Sequence, residues 1–533
     1  MFKPANRSVS SCSAAGIFPG SDCTKLIYTG ILLNVWKTYL LNLSSDIILT
    51  SGFRTVLNEI RQLNLSLEEA KILWRLIMNA QEKRQERNQM FTDLYSGIIP
   101  KKFPIFDAVG FEYLLQFAGK DLMTVNYSLT KEVFTEVYEK AQEMLGGDVF
   151  AGVLFAPRNA TALMLSESKY LVMSQTGMLQ HPEVSAFEPE DYDEFIKHPY
   201  DFLVEHRTPR FNAAFDGPPA KWALNYAKVV LSNVEQNAAA GAALNEVSEK
   251  YGYFAPPAGT VGSQTIPFDY IADNLRSFTK INFDLRRCPD KVLAAVEAIM
   301  PYVLHRALRT KPDILGCNTI KTHMPTFLSN KDFEKFYWPT FNKACHINAE
   351  NNLYMDIFCE HDWDRYLDYL SDLPQGSRMY IEYGDPQAAK DKLGSKFVLG
   401  GFYPLVLLKS GTKQQCIDKA KELIDILAPG GNFYFRFDKQ AYRGTDINTD
   451  NYRALMEYLH ENSSYSNAGQ PSMTADREAS IVKYSDQYPK FESKYIVSFD
   501  EFKKSYPPAD ERAEPFMRAQ YEKYTSLAEA FLV

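Results

Sequence analysis

The chain has 533 residues with 58 Lys+Arg against 66 Asp+Glu, a formal net charge of −8, so it carries no electrostatic footprint for nucleic acid. At 45% hydrophobic, 14% aromatic and 23% charged residues, its composition is that of a globular chain with a large core and excludes a disordered one. The seven cysteines (12, 23, 288, 317, 345, 359 and 416) contain no C-x-x-C pair, which speaks against a disulfide framework or zinc ribbon and makes a reducing, cytoplasmic location the expectation.

Taken in chain order, the first residues lack the apolar stretch of a secretory signal. The segment Leu26 to Leu43 is broken by Lys37 and falls short of the ~20 apolar residues of a bilayer span, so it reads as a soluble helix and no membrane partner is expected. Ser66 and Glu69 have the spacing of a capping box, predicting a helix towards Arg87. The mixed charges of residues 81–88 read as its solvated face. From Asp148 onward, β-rich runs alternate with amphipathic helices. Strands are expected at 149–155, 169–174, 259–266, 313–322, 353–359, 378–383, 397–400 and 433–437. Helices are expected at 363–373, 386–393, 412–427 and 449–461. This alternation implies βαβ units and a parallel sheet. The fold expected is a (β/α)8 TIM barrel over 82–470, with a helical N-terminal extension over 1–81 and a C-terminal appendage over 471–533. A doubly wound sheet is the other architecture that fits.

In such a barrel the chemistry sits where strands end. The polar residues at those ends are His323, Cys359, Glu360, His361, Asp362, Glu382, Asp385, Tyr403 and Asp438. Glu360, Glu382 and Tyr403 are the candidate catalytic groups. If the strand continues to His361, Cys359 and His361 share a face and can hold a zinc, with His323 or Asp438 completing the shell. Packing of Cys359 and capping by residues 360–362 is the competing reading, and a Cys/His nucleophilic pair is a third. The Gly400-Gly401 and Gly430-Gly431 pairs match no phosphate-loop pattern and read as turns. Arg286-Arg287 reads either as a grip on an acidic substrate or as a solvated helix start. His198, His206, His305, His346 and His460 read as structural.

Four segments together resemble the uroporphyrinogen decarboxylase superfamily, in its divergent branch near the corrinoid-dependent methyltransferases. They are Asp93-Leu-Tyr-Ser-Gly-Ile-Ile-Pro-Lys-Lys-Phe-Pro-Ile, Asp269-Tyr-Ile-Ala-Asp-Asn-Leu-Arg-Ser-Phe, Phe333-Glu-Lys-Phe-Tyr-Trp-Pro and Gly400-Gly-Phe-Tyr-Pro-Leu-Val-Leu-Leu-Lys-Ser-Gly-Thr-Lys. The resemblance covers about Phe91 to Leu459 and implies a single (β/α)8 barrel. It also implies one of two chemistries. Methyl transfer to or from a corrinoid on a partner protein uses zinc held by His-x-Cys and a second Cys. Here Cys359 matches the first Cys, Ile357 stands in the His position and Asp438 at the last strand, giving an altered expected set of Cys359, His361, Asp438 and His323. Metal-independent decarboxylation of a tetrapyrrole instead needs arginines for its carboxylates. The arginine-rich opening motif is absent, leaving Arg158 and Arg276 as substrate-binding candidates. The expectation is methyl transfer from a small methylated substrate. The alternatives are porphyrinogen decarboxylation and a non-catalytic tetrapyrrole-binding protein whose strand-end polar groups do not converge.

Overall fold

The computed structural model describes residues 67–150, 158–473, 476–484 and 491–530. The chain divides into two units between Asn79 and Ala80. The helix expected to end near Arg87 continues to Tyr95, forming Leu67–Tyr95. Its expected capping residue Ser66, and the apolar segment Leu26 to Leu43, lie outside the described residues. No helix among the described residues is long and apolar enough to cross a membrane.

The protein is mixed α/β. Its main sheet holds five parallel strands in sequential order: β3 (Val261–Thr265), β4 (Cys317–Thr322), β5 (Met355–Asp362), β6 (Arg378–Tyr383) and β7 (Val398–Gly401). Helices fill most of the connections, as parallel pairing requires. Thr412 and Gln415 form a reciprocal capping box on the helix Lys413–Leu427. Asp385 caps Pro386–Leu393 by accepting from Gln387 N and Ala388 N, which is its role at that strand end. The helix expected over 363–373 is shorter, a 3-10 turn Asp364–Tyr366 followed by Leu367–Leu370.

Among the described residues the continuous ladder has five strands, not eight. Single parallel bridges extend it: Leu399 with Phe433, Tyr403 with Phe437, Ile105 with Phe435, Val109 with Ala441, Phe106 with Val149, and Val149 with Phe254. The ladder is interrupted where the backbone turns left-handed, at Gly401 (φ 95°), Phe402 (φ 63°) and Asn432 (φ 57°). Gly401 has a second constraint, since a Cβ there would lie 2.2 Å from the Ile381 carbonyl oxygen. The Gly400-Gly401 pair therefore serves close strand approach. The strand expected over 433–437 is present only as these bridges, and most of 149–155 lies outside the described residues. The strand expected over 169–174 is not in the sheet. Val172–Met173 (β1) instead pairs antiparallel with Leu179–Gln180 (β2), because Ser174 N donates to Met178 O and Gly177, at φ 75°, turns the chain back.

Strand alternation sorts the core. Met355, Ile357, Cys359, Met379 and Ile381 join the large core under the helices. On the opposite face Phe358, Tyr380, Val398, Tyr434, Phe106 and Phe254 pack with Phe91, Leu94 and Tyr95 from the end of the first helix. Phe91 stacks on Phe254 with ring centroids 4.0 Å apart. Three ions are buried on this inner face: Arg436 Nη1 lies 3.1 Å from Asp356 Oδ2, and Arg378 is the cross-strand partner of Asp356.

Candidate active site at the carboxyl ends of the strands

His323 follows β4 directly and lies between two carboxylates from different elements. Its Nδ1 forms an ion pair with Glu360 Oε2 at the end of β5. Its Nε2 faces Asp273 Oδ2 at 3.8 Å, too far for a direct hydrogen bond. Asp273 Oδ1 is buried and has no hydrogen-bond partner among the described residues. The loop carrying His323 is fixed by the fully buried Asp269, which accepts from Met324 N at 2.9 Å and from Tyr337 Oη at 2.6 Å. Asp273 and Tyr337 both lie in short π-helical stretches, Ala272–Arg276 and Phe333–Tyr337, a geometry frequent at functional sites.

The electrostatics follow from this crowding. Burial alone would lower the His323 imidazole, but the Glu360 contact and the charges of Asp273, Asp269 and Glu360 outweigh it and raise the value to about 9. Burial pushes both Asp269 and Asp273 upward, and the His323 charge draws them partly back. At neutral pH the imidazole is therefore a cation, and Asp273 is a carboxyl group inclined to hold a proton.

Cations share this mouth. The Lys321 side chain is exposed to solvent, yet desolvation and the charges of Arg158 and Arg436 lower its ammonium while Glu360 opposes them. The exposed Arg158 also acts on Glu112 and Tyr442, and the exposed His181 is lowered by desolvation, Arg158 and His323. Basic and acidic groups from widely separated segments thus face one another at this end of the sheet.

Beside them, Glu382 Oε1 pairs with Lys439 Nζ at 2.6 Å and Oε2 accepts from His361 N at 2.8 Å. Burial would raise this carboxyl, but Lys439 and His361 N hold it below its ordinary value. Lys439 Nζ also donates to Tyr383 Oη at 2.9 Å. Glu360, His361 and Glu382 each offer a ligand atom, all within 4.8 Å of one another.

Of the candidate site residues singled out from the sequence, Glu360, His323, His361, Glu382 and Arg158 lie at this mouth. The expected shell of Cys359, His361, Asp438 and His323 is not brought together. Cys359 faces the helix-side core and is fully buried, and desolvation keeps its thiol well above the ordinary value. The alternation assumed to place His361 beside it fails, because the β5–β6 register shifts between Cys359 and Asp362 and His361 takes φ 62°. Asp438 Oδ1 is occupied by Leu405 N at 2.9 Å and Lys439 N at 2.7 Å. Tyr403 is fully buried with its hydroxyl on Cys416 O at 3.1 Å, so it braces the core. Arg276 is a buried structural arginine, 2.6 Å from Asp284 and 2.8 Å from Glu188. Arg286 pairs with Asp332, and the three arginines do not converge.

Sequence reasoning gave no role to Asp269, Asp273, Lys321, Tyr337 or Lys439. The only signals were the i, i+4 spacing of the two aspartates after a strand and the i, i+2 spacing of Lys321 and His323 at a strand end. No protein-family model matches the chain, and no curated protein matches its sequence.

Proposed function

We propose that this chain is a (β/α)8-barrel enzyme of the type the sequence resembles and that it catalyses metal-independent decarboxylation of a carboxylate-bearing small molecule of the porphyrinogen kind, with Lys321 and Arg158 in place of the converging arginines that the resemblance implies. Support for the barrel comes from the six single bridges, which set 433–437, 105–109 and Val149 in parallel succession between β7 and the segment leading into β3. The observation that carries the chemistry is His323 held between Glu360 and Asp273, with Lys321 and Arg158 in the same mouth.

Decarboxylation replaces a carboxylate by a proton. The C–C bonding electrons stay with the substrate carbon, CO2 leaves, and the carbon accepts H+. The site must therefore hold an anion and supply a proton. Lys321 and Arg158 suit the first task. Protonated His323 suits the second, with Glu360 orienting its ring and Asp273 opposite Nε2 as a second proton carrier. A non-catalytic binding protein would not need this convergence.

The test is CO2 release from a porphyrinogen bearing acetate side chains, under reducing conditions. His323→Gln is expected to reduce kcat by about a hundredfold or more and Lys321→Met to raise KM. Absence of CO2 release by the wild type, or an unchanged rate in His323→Gln, would refute the proposal.

Methyl transfer with a corrinoid partner is the second reading, and the observation behind it is the Glu360, His361 and Glu382 group. That group lacks the thiolate the resemblance implies, and Lys439 already supplies a cation to Glu382. One zinc per chain, lost in His361→Ala, would favour this reading over decarboxylation.

A further inference from the structure

The helix Pro219–Tyr251 runs for 33 residues and buries one narrow stripe, Val229, Gln236, Ala243 and Val247, packing against the helices Lys131–Ala141 and Ala160–Ser166. A surface helix packed on one side carries polar residues on the other. This helix departs from that pattern. Opposite the buried stripe, Leu224, Ala227, Leu231, Val234, Ala238 and Gly241 follow one another at alternating intervals of three and four residues, the a and d spacing of a heptad. Leu224, Leu231 and Val234 are 66%, 62% and 37% exposed, and Ala227 and Ala238 are exposed as well. From Leu224 to Gly241 this seam spans about 26 Å of helix.

Two features say what covers it. The first is Gly241. In a helix interior Gly costs roughly 0.5–1 kcal/mol relative to Ala, and a Cβ at this position would meet no atom within 4 Å among the described residues. No contact within the described residues therefore calls for a glycine. The second is charge. Lys228 and Glu235 stand exposed along one edge of the seam, seven residues apart. Among the described residues Lys228 Nζ reaches Asn225 Oδ1 at 3.3 Å, and neither charge has an ion-pair partner.

A second copy of the same helix, antiparallel about a twofold axis crossing between Ser232 and Asn233, answers both features. Leu231 then meets the partner's Val234, Ala227 the partner's Ala238, and Leu224 the partner's Gly241, so the leucine fills the space that the glycine leaves. Lys228 faces the partner's Glu235 along the shared edge, and the symmetry repeats every contact. A parallel pair would instead set Leu231 on Leu231 and Gly241 on Gly241. Its facing edge, Val230, Asn237 and Leu244, offers no charge to Lys228 or Glu235.

We infer that the exposed face of Pro219–Tyr251 joins two copies of this chain in an antiparallel, twofold-symmetric helix pair. The inference does not depend on the proposed decarboxylation.

The test is sedimentation velocity of the full chain over a concentration series, with circular dichroism as the check on folding. The wild type is expected to form a dimer. Leu231→Glu puts a charge into the seam twice and is expected to raise the dimer Kd by about a hundredfold or more, with an unchanged dichroism spectrum because the side chain is exposed. Lys228→Glu is expected to raise Kd about tenfold, and adding Glu235→Lys to it is expected to restore the wild-type value. Gly241→Leu favours the isolated helix, yet it is expected to weaken the dimer by colliding with the partner's Leu224. A wild type that stays monomeric at every concentration, a dimer that survives Leu231→Glu, or a double reversal that associates no better than Lys228→Glu alone would each overturn the inference.

Discussion

Cys359 and Glu360 are adjacent in sequence and face opposite sides of the same strand, the thiol into the helix-side core and the carboxylate onto His323. One peptide bond thus separates a packing residue from a candidate catalytic one. Strand alternation enforces the split, and the proposed decarboxylation is built on it. A zinc-thiolate centre needs residue 359 on the mouth side. Acid–base chemistry needs residue 360 there.

The first prediction concerns the charge on His323. With its folded value raised to about 9 from an ordinary 6.5, the imidazole should titrate by NMR far above the usual histidine range. Glu360→Gln should bring it back towards 6.5, and Asp273→Asn should do so in part. The sign of the linked stability follows: the contribution is complete below about 6.5 and disappears as pH rises through about 9. An imidazole titrating near 6.5 in the wild-type protein would remove the proton donor from the proposed mechanism.

How much of this was legible beforehand depends on the range of the interaction. Strands β4 to β7 and the helices 386–393, 413–427 and 449–462 were readable because hydrophobic period, caps and glycines are local signals. The strand-end rule then pointed to His323, Glu360 and Glu382. Local signals could not reveal the bulge at His361, since the register shift depends on pairing with β6. Nor could they show that Arg276 is spent on Asp284 and Glu188, or that Asp273 faces His323 from another element. The segment 105–109 went unread because a single Asp in an apolar run and a flanking proline mask its pattern, and Asp107 turns out to be buried.

The second prediction separates packing from ligation at Cys359. Cys359→Ser buries a hydroxyl beside Thr322, whose own hydroxyl is already spent on Phe358 O, and should cost about 1–3 kcal/mol. Cys359→Ala should cost less, since only a small cavity opens. Urea melts of the two variants test the order, and metal content should be the same in both as in the wild type. A metal lost specifically in Cys359→Ala would return the thiolate to the mouth.

A third prediction rests on Asp107. Burial pushes its carboxyl up to about 6, although Tyr452 Oη, Gly146 N and Gly147 N all donate to it and pull the other way. Because the folded value lies above the unfolded one, the folded state binds the proton more tightly. Stability therefore falls as pH rises from about 4 to about 6, by on the order of 2–3 kcal/mol. Asp107→Asn keeps an oxygen for the three donors and should flatten this part of the curve. Denaturant melts at pH 4, 5, 6 and 7 of both proteins provide the check, and parallel curves would contradict it.

The last prediction concerns the ion pair inside the sheet. Asp356 accepts from Arg436 Nη1 at 3.1 Å and from Tyr434 Oη at 3.4 Å, while the Arg436 guanidinium lies 3.4 Å from the Tyr380 ring centroid and 5.3 Å from that of Phe106. Both residues are 8% exposed, so each charge leans on the other, with the buried Arg378 as the cross-strand neighbour of Asp356. Removing one partner leaves a buried charge uncompensated, and Asp356→Asn and Arg436→Met should each destabilise by about 3–5 kcal/mol. The double variant removes both charges and leaves an apolar side chain among Tyr380, Phe106 and Tyr434. It should cost much less than the two single changes added together, giving a coupling energy of several kcal/mol in a double-mutant cycle. Additive losses would mean that the aromatic rings, and not Asp356, carry the stabilisation of Arg436.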